Sequence, residues 1–279
     1  MKAGELGMTV PTTMDQGAVF RAMHYEGTAF VIPNPWDVGS ARVLAKLGFR
    51  ALATTSAGMA HSMGMRDGSV PRDAVLDHCR CLAAATSLPV SADLEKGFGD
   101  TPDSAAETIR AAAATGIAGC SIEDHTGNSR SPIFDFELAV ERIAAAVEAA
   151  RGLGRDFVLT ARCENFLWDR PDLNDTVRRL SAFAEAGADV LYAPGLPDIG
   201  AVREVCAIGK PVNFLNEVPG GTFDLQELSE AGVARVSVGA ALSLFAWGGF
   251  VKAARELAEN GRFTSFDGSI GFAEMDAFF

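Results

Sequence analysis

Three short apolar runs each end on an ionisable residue with a second one two positions on. The run 89–93 ends in Asp93 and is followed by Leu94-Glu95. The run 119–123 ends in Glu123, followed by Asp124-His125, and the run 157–162 ends in Arg162, followed by Cys163-Glu164. Carboxylates gathered at adjacent strand ends in a low-dielectric mouth repel one another unless a proton or a cation joins them. A hard divalent ion resolves that conflict. Mg²⁺ takes one or two carboxylates directly and leaves its other positions to water and substrate oxygens. The ordinary alternative for each acid is to cap the following helix or pair with Arg162; for the cluster as a whole the metal is the stronger expectation. Arg162, at the end of an apolar strand, offers five donors in a fork that suits a carboxylate, or it forms a structural ion pair with Glu123 or Glu164. Ser56, Ala57 and Gly58 combine small side chains with accessible backbone N–H groups ahead of a helix, a nest for a second carboxylate or simply a turn. Asn213 and Asn216, near the end of the run 211–215, add amide groups for substrate. His125 could give or take a proton, although a lone histidine is more often structural.

Other chemistries find less support. Cys163 sits next to Arg162, so alternation turns it away from the mouth, where a buried thiol is inert. There is no H-E-x-x-H, no nucleophile elbow and no Walker loop. Ile32-Pro33-Asn34-Pro35-Trp36-Asp37 stands where a dinucleotide-binding turn would be, and Gly97-Phe98-Gly99 lacks a third glycine. Pro219-Gly220-Gly221 and Gly239 occupy the places where many barrels bind phosphate. A Schiff-base aldolase would need a lysine at a strand end, and only Lys96 is near.

These residues must be positioned by a scaffold, and the chain supplies one. Apolar runs at 29–33, 50–55, 89–93, 119–123, 157–162, 189–193, 211–215 and 235–238 alternate with helix-length amphipathic segments at 38–47, 72–86, 103–115, 136–151, 172–186, 198–208, 224–231 and 240–260. Eight such units, with glycine closing the helical segments at Gly48, Gly116, Gly187 and Gly232, predict a (β/α)8 TIM barrel, an α/β fold whose chemistry sits at the C-terminal ends of its strands. No Pro/Ser-rich linker interrupts the series, so one domain is expected over 1–279, with a C-terminal helical extension from about 240 to 279. That extension carries Trp247, Phe250, Phe263, Phe266, Phe272, Phe278 and Phe279, more aromatic surface than one outer helix buries, and is expected to pack on a neighbouring subunit.

Composition narrows the partners. Of 279 residues 48% are hydrophobic, and 36 acids against 24 bases give a formal charge of −12. Such a field repels nucleic acid and anionic lipid, so neither is an expected partner, and an anionic substrate would need local positive charge. The apolar stretch 236–251 is too short to span a bilayer. Lys2 and Glu5 are not followed by an apolar core of the secretory type. Five cysteines without C-x-x-C spacing point to a reduced, cytoplasmic protein.

Taken together, Ser91-Ala92-Asp93-Leu94-Glu95-Lys96-Gly97-Phe98-Gly99, Ser121-Ile122-Glu123-Asp124-His125 and Thr160-Ala161-Arg162-Cys163-Glu164 resemble the isocitrate lyase/phosphoenolpyruvate mutase superfamily, in order and spacing, from Pro33 to about Asn260. The resemblance implies a Mg²⁺-dependent barrel (Mn²⁺ being the other option) acting on 2-oxo or 2-hydroxy carboxylates next to an enolate. It implies Asp93 as the direct ligand, Glu95 in place of the usual Asp, Glu123 acting through water, and Asp67 as a further acid near the metal. It also implies Ser56, Ala57 and Gly58 as the segment holding the substrate carboxylate, with Arg162 as its cationic contact. Members of this family exchange C-terminal helices between subunits, implying a dimer or tetramer here.

Departures from the family pattern refine this. The loop Thr126-Gly127-Asn128-Ser129-Arg130-Ser131-Pro132 lacks the Lys-Lys/Arg-Cys-Gly-His motif of isocitrate and methylisocitrate lyases, so the chain is not expected to be a Cys-loop lyase of either kind. Asn128 corresponds to the mutases' loop asparagine. After the sixth strand, Tyr192-Ala193-Pro194-Gly195 replaces the Glu or His often found; whether Tyr192 reaches the mouth is open, and the proton donor is unassigned. The expected activity is cleavage of a C–C bond in a small, oxaloacetate-like 2-oxo acid, with Arg162, Glu123, His125 and Asn128 as catalytic candidates and the segment 125–134 as a gate. The alternatives are a phosphonopyruvate-type P–C mutase or hydrolase and an oxo-acid-binding protein with little turnover.

Overall fold

The computed structural model describes residues 15–217 and 223–279. Lys2, Glu5 and Pro219-Gly220-Gly221 therefore lie outside the described residues. Each of the eight apolar runs forms a strand: β1 (Phe30–Ile32), β2 (Leu52–Ala53), β3 (Val90–Asp93), β4 (Gly119–Glu123), β5 (Val158–Arg162), β6 (Val190–Tyr192), β7 (Val212–Leu215) and β8 (Arg235–Ser237). Every pairing is parallel, in the order β1-β8-β7-β6-β5-β4-β3-β2. At the remaining seam the Ala53 N–H donates to the Pro33 carbonyl at 3.1 Å. The sheet is thus a nearly closed cylinder, and the fold is a (β/α)8 TIM barrel.

Around it run α1 (Gln16–Met23), α2 (Val38–Lys46), α3 (Ser56–Ser62), α4 (Arg72–Ala85), α5 (Pro102–Ala113), α6 (Phe136–Arg151), α7 (Leu173–Glu185), α8 (Ile199–Cys206) and α9 (Leu225–Glu230), followed by α10 (Ala241–Asn260) and α11 (Phe272–Asp276). Helix starts follow from local chemistry: Thr101 accepts from the Ser104 N–H with Pro102 in the first turn, and Asp172 accepts from the Asp175 N–H. At helix ends, Gly187 and Gly232 take the left-handed turn required there, with φ of +105° and +98°. On α6 the buried residues Ala139, Arg142, Ile143, Ala146, Ala149 and Ala150 form one stripe. It meets the alanine-rich stripe of α5, and small side chains let the two helices approach closely.

Two-residue alternation divides the strands between two apolar clusters. Leu159 and Ala161 face the helices, in the large cluster with Val90, Ala92, Cys120, Ile122 and Leu191. Val158, Phe30, Ala118 and Val190 fill the barrel interior together with Phe20 and Met23 from α1, and Ile32 of the same cluster reaches up to line the cavity. Full burial of each valine, isoleucine, methionine or phenylalanine among them contributes about 1.5–3 kcal/mol. The sequence pattern did not anticipate α1, which plugs the N-terminal end of the barrel. It sits so close that a methyl group at Gly17 would lie 1.9 Å from the Asp156 carbonyl oxygen. Above the plug the interior-facing residues become polar, and there the cavity begins.

The C-terminal extension is helical as expected. In α10 only Ser243 is buried, while Phe245, Phe250, Phe263 and Phe272 are 84%, 62%, 66% and 93% exposed. Among the described residues no helix is long and apolar enough to cross a membrane.

Candidate active site

The strand ends carry the polar residues to one place. An inner cavity of about 220 Å³ is lined by Asp93, Arg162 and Asn213, with Ser56, Ala57 and Asp67 from the β2 side. Beside it an outer cleft of about 450 Å³ is lined by Glu95, Glu123 and His125, and Ser56, Asp67 and Arg162 border both spaces. The inner volume lies below the roughly 300–1,000 Å³ of pockets that hold drug-sized ligands, which suits a small acid.

Asp93 ends β3, where its N–H donates to Thr54 Oγ1 at 2.8 Å and its Oδ1 accepts from the Glu95 N–H at 3.2 Å. Two residues on, Glu95 has a left-handed backbone, φ +50°, uncommon for a residue with a side chain. That turn sends it to the outer cleft while Asp93 faces the inner cavity. Burial, followed by the negative charges of Asp93, Glu123 and Asp67, pushes the Glu95 carboxyl up to about 8. Burial also raises Glu123, opposed by Arg162 and reinforced by Glu164. Among the described residues no three His, Cys, Asp or Glu side chains converge into a ready-made metal site; the four expected acids surround the two spaces instead of meeting at a point. The all-oxygen donor set, its mutual repulsion and the open lone pairs of Asp93 still fit a hard cation bound through one or two carboxylates.

Arg162 makes the ion pair that the sequence allowed and keeps the other end of its fork towards the cavity. Its Nε hydrogen-bonds Glu164 Oε1 and lies 3.5 Å from Glu123 Oε2, and its Cζ stands 4.9 Å from the Tyr192 ring centroid. Burial would lower its pKa, but Glu164, Tyr192, Glu123 and Asp93 hold the guanidinium charged. Its two Nη nitrogens make no hydrogen bond to the described residues and are left to the cavity. Trp168, on the 3-10 turn Asn165–Trp168, donates to Glu164 Oε2 at 3.2 Å and stacks on His125 with centroids 3.9 Å apart and an interplanar angle of 11°. His125 Nδ1 lies 3.6 Å from Glu123 Oε1, and its buried Nε2 has no hydrogen-bond partner among the described residues.

The remaining expected residues divide between the cavity wall and positions away from it. Ser56, Ala57 and Gly58 are the first turn of α3, not a nest ahead of it. Thr55 caps that helix by accepting from the Gly58 N–H at 3.2 Å, so Ser56 and Ala57 line the cavity and Gly58 does not. Asn128 lies at the exposed tip of the 125–134 loop, where its Oδ1 accepts from the Arg130 N–H at 3.0 Å. Asn216 donates to the Phe223 carbonyl at 2.8 Å and lines neither space. Asp124 turns away to Arg179, 3.2 Å distant, and to the Glu164 N–H at 2.8 Å. Lys96 is tied to Asp100 and the Thr126 carbonyl, both at 2.6 Å, and so is not available as a Schiff-base amine.

Tyr192, whose reach the sequence left open, lines the inner cavity, and Glu164, expected only as an ion-pair partner of Arg162, lines the cleft; Ser91, Ser121, Glu217 and Arg235, which line the inner cavity, carry no sequence signature of a site role of their own. Alternation was the available signal for those on strands. Ser91 and Ser121 share the inward parity of Asp93 and Glu123, and Tyr192 is in register with Arg162 and Asn213. None of the five cysteines lines either space, consistent with the missing loop cysteine.

This arrangement agrees with the comparisons. A Burkholderia cenocepacia protein provisionally described as a lyase/mutase superposes with a TM-score of 0.92 at 52% identity, covering 95% of this chain and 96% of that one. A Mycobacterium tuberculosis protein of uncharacterised function is 36% identical over 223 residues, 79% of this chain and 81% of its own length. The 2-methylisocitrate lyase of Escherichia coli is 30% identical over 229 residues, 78% of this chain and 76% of its own. Residues 20–258 match the phosphoenolpyruvate phosphomutase profile. A closely fitting barrel, a cavity at its strand ends and a profile covering most of the sequence agree: the chain is an enzyme of the phosphoenolpyruvate phosphomutase family, within the isocitrate lyase/phosphoenolpyruvate mutase superfamily.

Proposed function

We propose that this enzyme is a Mg²⁺-dependent lyase that cleaves a C–C bond of a small, oxaloacetate-like 2-oxo carboxylate by way of an enolate, with Mn²⁺ as an alternative ion. The observation that carries this is the inner cavity, where Asp93 and the free Nη end of Arg162 face the same space. Asp93 would hold the ion, with Glu95, Glu123 and Asp67 around it. When bound, the ion supplies positive charge that draws electron density onto the 2-oxo oxygen as the neighbouring bond breaks.

The chain's own groups do the rest. Arg162 binds a substrate carboxylate through Nη, the Ser56 and Ala57 amides approach from α3, and Asn213 contributes to orientation. His125, held flat by Trp168 and close to Glu123, is the proton carrier on the cleft side. The 125–134 loop, closed by Thr126 N–H to Pro132 carbonyl at 2.7 Å and by the His125–Ile133 bridge, limits water access. We also propose that residues 1–279 form one functional domain. The exposed aromatic face of its 240–279 extension supports a homodimer or homotetramer, and five free thiols support a cytoplasmic setting.

P–C bond chemistry on a phosphonopyruvate-type substrate is the second reading, favoured by the family profile. The exposed position of Asn128 weighs against it. The test is to incubate the protein with oxaloacetate, phosphonopyruvate and methylisocitrate, with and without EDTA, while following pyruvate and oxalate by NMR. Metal-dependent product from oxaloacetate is expected. Turnover that survives EDTA, or an Asp93→Ala variant as active as the wild type, overturns the metal-dependent mechanism.

A further inference from the structure

The inner cavity is bordered by two arginines whose charges are balanced very differently. Arg162 has Glu164 and Glu123 beside it. Arg235, at the start of β8, is 5% exposed and has no carboxylate within salt-bridge distance among the described residues. Its partners are neutral: Nε donates to Asn213 Oδ1 at 2.8 Å, Nη2 to Thr160 Oγ1 at 3.0 Å, and Nη1 lies 3.2 Å from His24 Nε2.

Those contacts occupy three of the five guanidinium N–H groups and leave one on each Nη. His24 accepts rather than competes. Its Nδ1 is 2.8 Å from the Phe20 carbonyl and must donate to it, which leaves Nε2 as a lone pair facing the arginine. Burial followed by the charge of Arg235 lowers the imidazole to about 3, so it remains neutral. On the other side Asn213 Nδ2 donates to Ser237 Oγ at 3.0 Å, so Asn213 presents its oxygen to Arg235. A buried cation without a counter-ion is costly to maintain. Here it is fixed by three neutral acceptors and borders a cavity.

We propose that Arg235 is a second anion-binding residue, which receives the far anionic group of the substrate at the inner end of the cavity and selects a short dianion over a monoanion. This rests on the oxo-acid reading above and extends it: Arg162 holds one end of the substrate and Arg235 the other. His24, Thr160 and Asn213 are positioning residues for that second contact.

The test uses inert 2-hydroxy acids and the whole protein with Mg²⁺, titrating lactate and malate by calorimetry. The wild type is expected to bind malate roughly tenfold to a hundredfold more tightly than lactate, the range for a charge-assisted hydrogen-bonded pair. Arg235→Gln is expected to remove that preference while changing lactate binding less than threefold, and Arg235→Lys to restore part of it. Circular dichroism and melting temperature establish that each variant is folded. If Arg235→Gln does not fold, Arg235→Lys and Thr160→Val take its place, and a malate-to-lactate ratio unchanged from the wild type in both overturns the proposal. Malate binding no tighter than lactate, including no binding of either, overturns the proposal, as does equal loss of both in Arg235→Gln. Arg235-dependent preference that persists in EDTA supports the second anion contact while contradicting the metal-dependent reading, so the two fail separately.

Discussion

Asp93 and Arg162 enter the cavity from opposite flanks of β4, and on the proposed mechanism neither tolerates exchange for its nearest chemical neighbour. Asp93→Asn keeps the shape but removes the charge, and is expected to lower kcat/KM by at least about a hundredfold, measured at saturating Mg²⁺. Arg162→Lys has one ammonium to serve two carboxylates and a substrate, and is expected to lose most activity while raising KM. Asp124, although adjacent to Glu123 in sequence, is a strut whose carboxylate meets Arg179 in the interior. Arg179→Met is expected to destabilise the fold by about 3–5 kcal/mol, the usual cost of breaking a buried pair from one side, which a urea titration reads directly. Asp93 and Arg162 were legible because they end apolar strands. Arg235 was not, because it begins one; attention to strand ends passes over a long side chain that reaches the cavity from below. Glu164 was visible only as a possible partner of Arg162, since its place depends on the 3-10 turn that brings Trp168 back onto it.

The elements whose periodicity extends over two turns or more were readable to within a residue or two, and α6 coincides with its predicted span. The missed elements are short or lie outside the alternating series. In α3, seven residues give no repeating apolar stripe, so its first turn read as a loop. In α1 the sequence gives a stripe, but nothing in it says that the stripe plugs a barrel. This helix has a measurable signature. His24 caps α1 and, neutral in the fold, has its pKa lowered to about 3 by burial and by Arg235. The unfolded chain takes up a proton there below the ordinary 6.5, and the folded chain does not. Stability is therefore complete above pH 6.5 and declines as pH falls towards 3, by up to about 1.4 kcal/mol per pH unit. Urea midpoints across that window are expected to fall less steeply for His24→Gln than for the wild type; identical slopes would show that His24 does not titrate in this way.

At the level of the whole molecule, one face of the C-terminal extension has no cover within a single chain. Phe245, Phe250 and Phe272 are exposed well beyond what isolated surface residues require. Replacing Phe245 and Phe250 by Glu is expected to shift the protein from oligomer to monomer in analytical ultracentrifugation, with the barrel's circular dichroism unchanged. An unchanged mass would show that this face is not the contact. The formal charge of −12 acts at the same scale. It opposes the approach of an anionic substrate, so moderate added salt is expected to lower KM for a dianion by screening the global field.

The tight seat of α1 against the barrel base reaches further than its distance from the mouth suggests. Gly17 leaves no room for even one carbon before Asp156, so Gly17→Ala must tilt or lift the helix. The same helix ends at His24, and His24 braces the guanidinium under the reaction chamber. A lesion at the sealed back of the protein would thus surface at the front as weakened grip on the ligand's deeper end, and random mutagenesis for altered selectivity should recover hits there as well as around the rim.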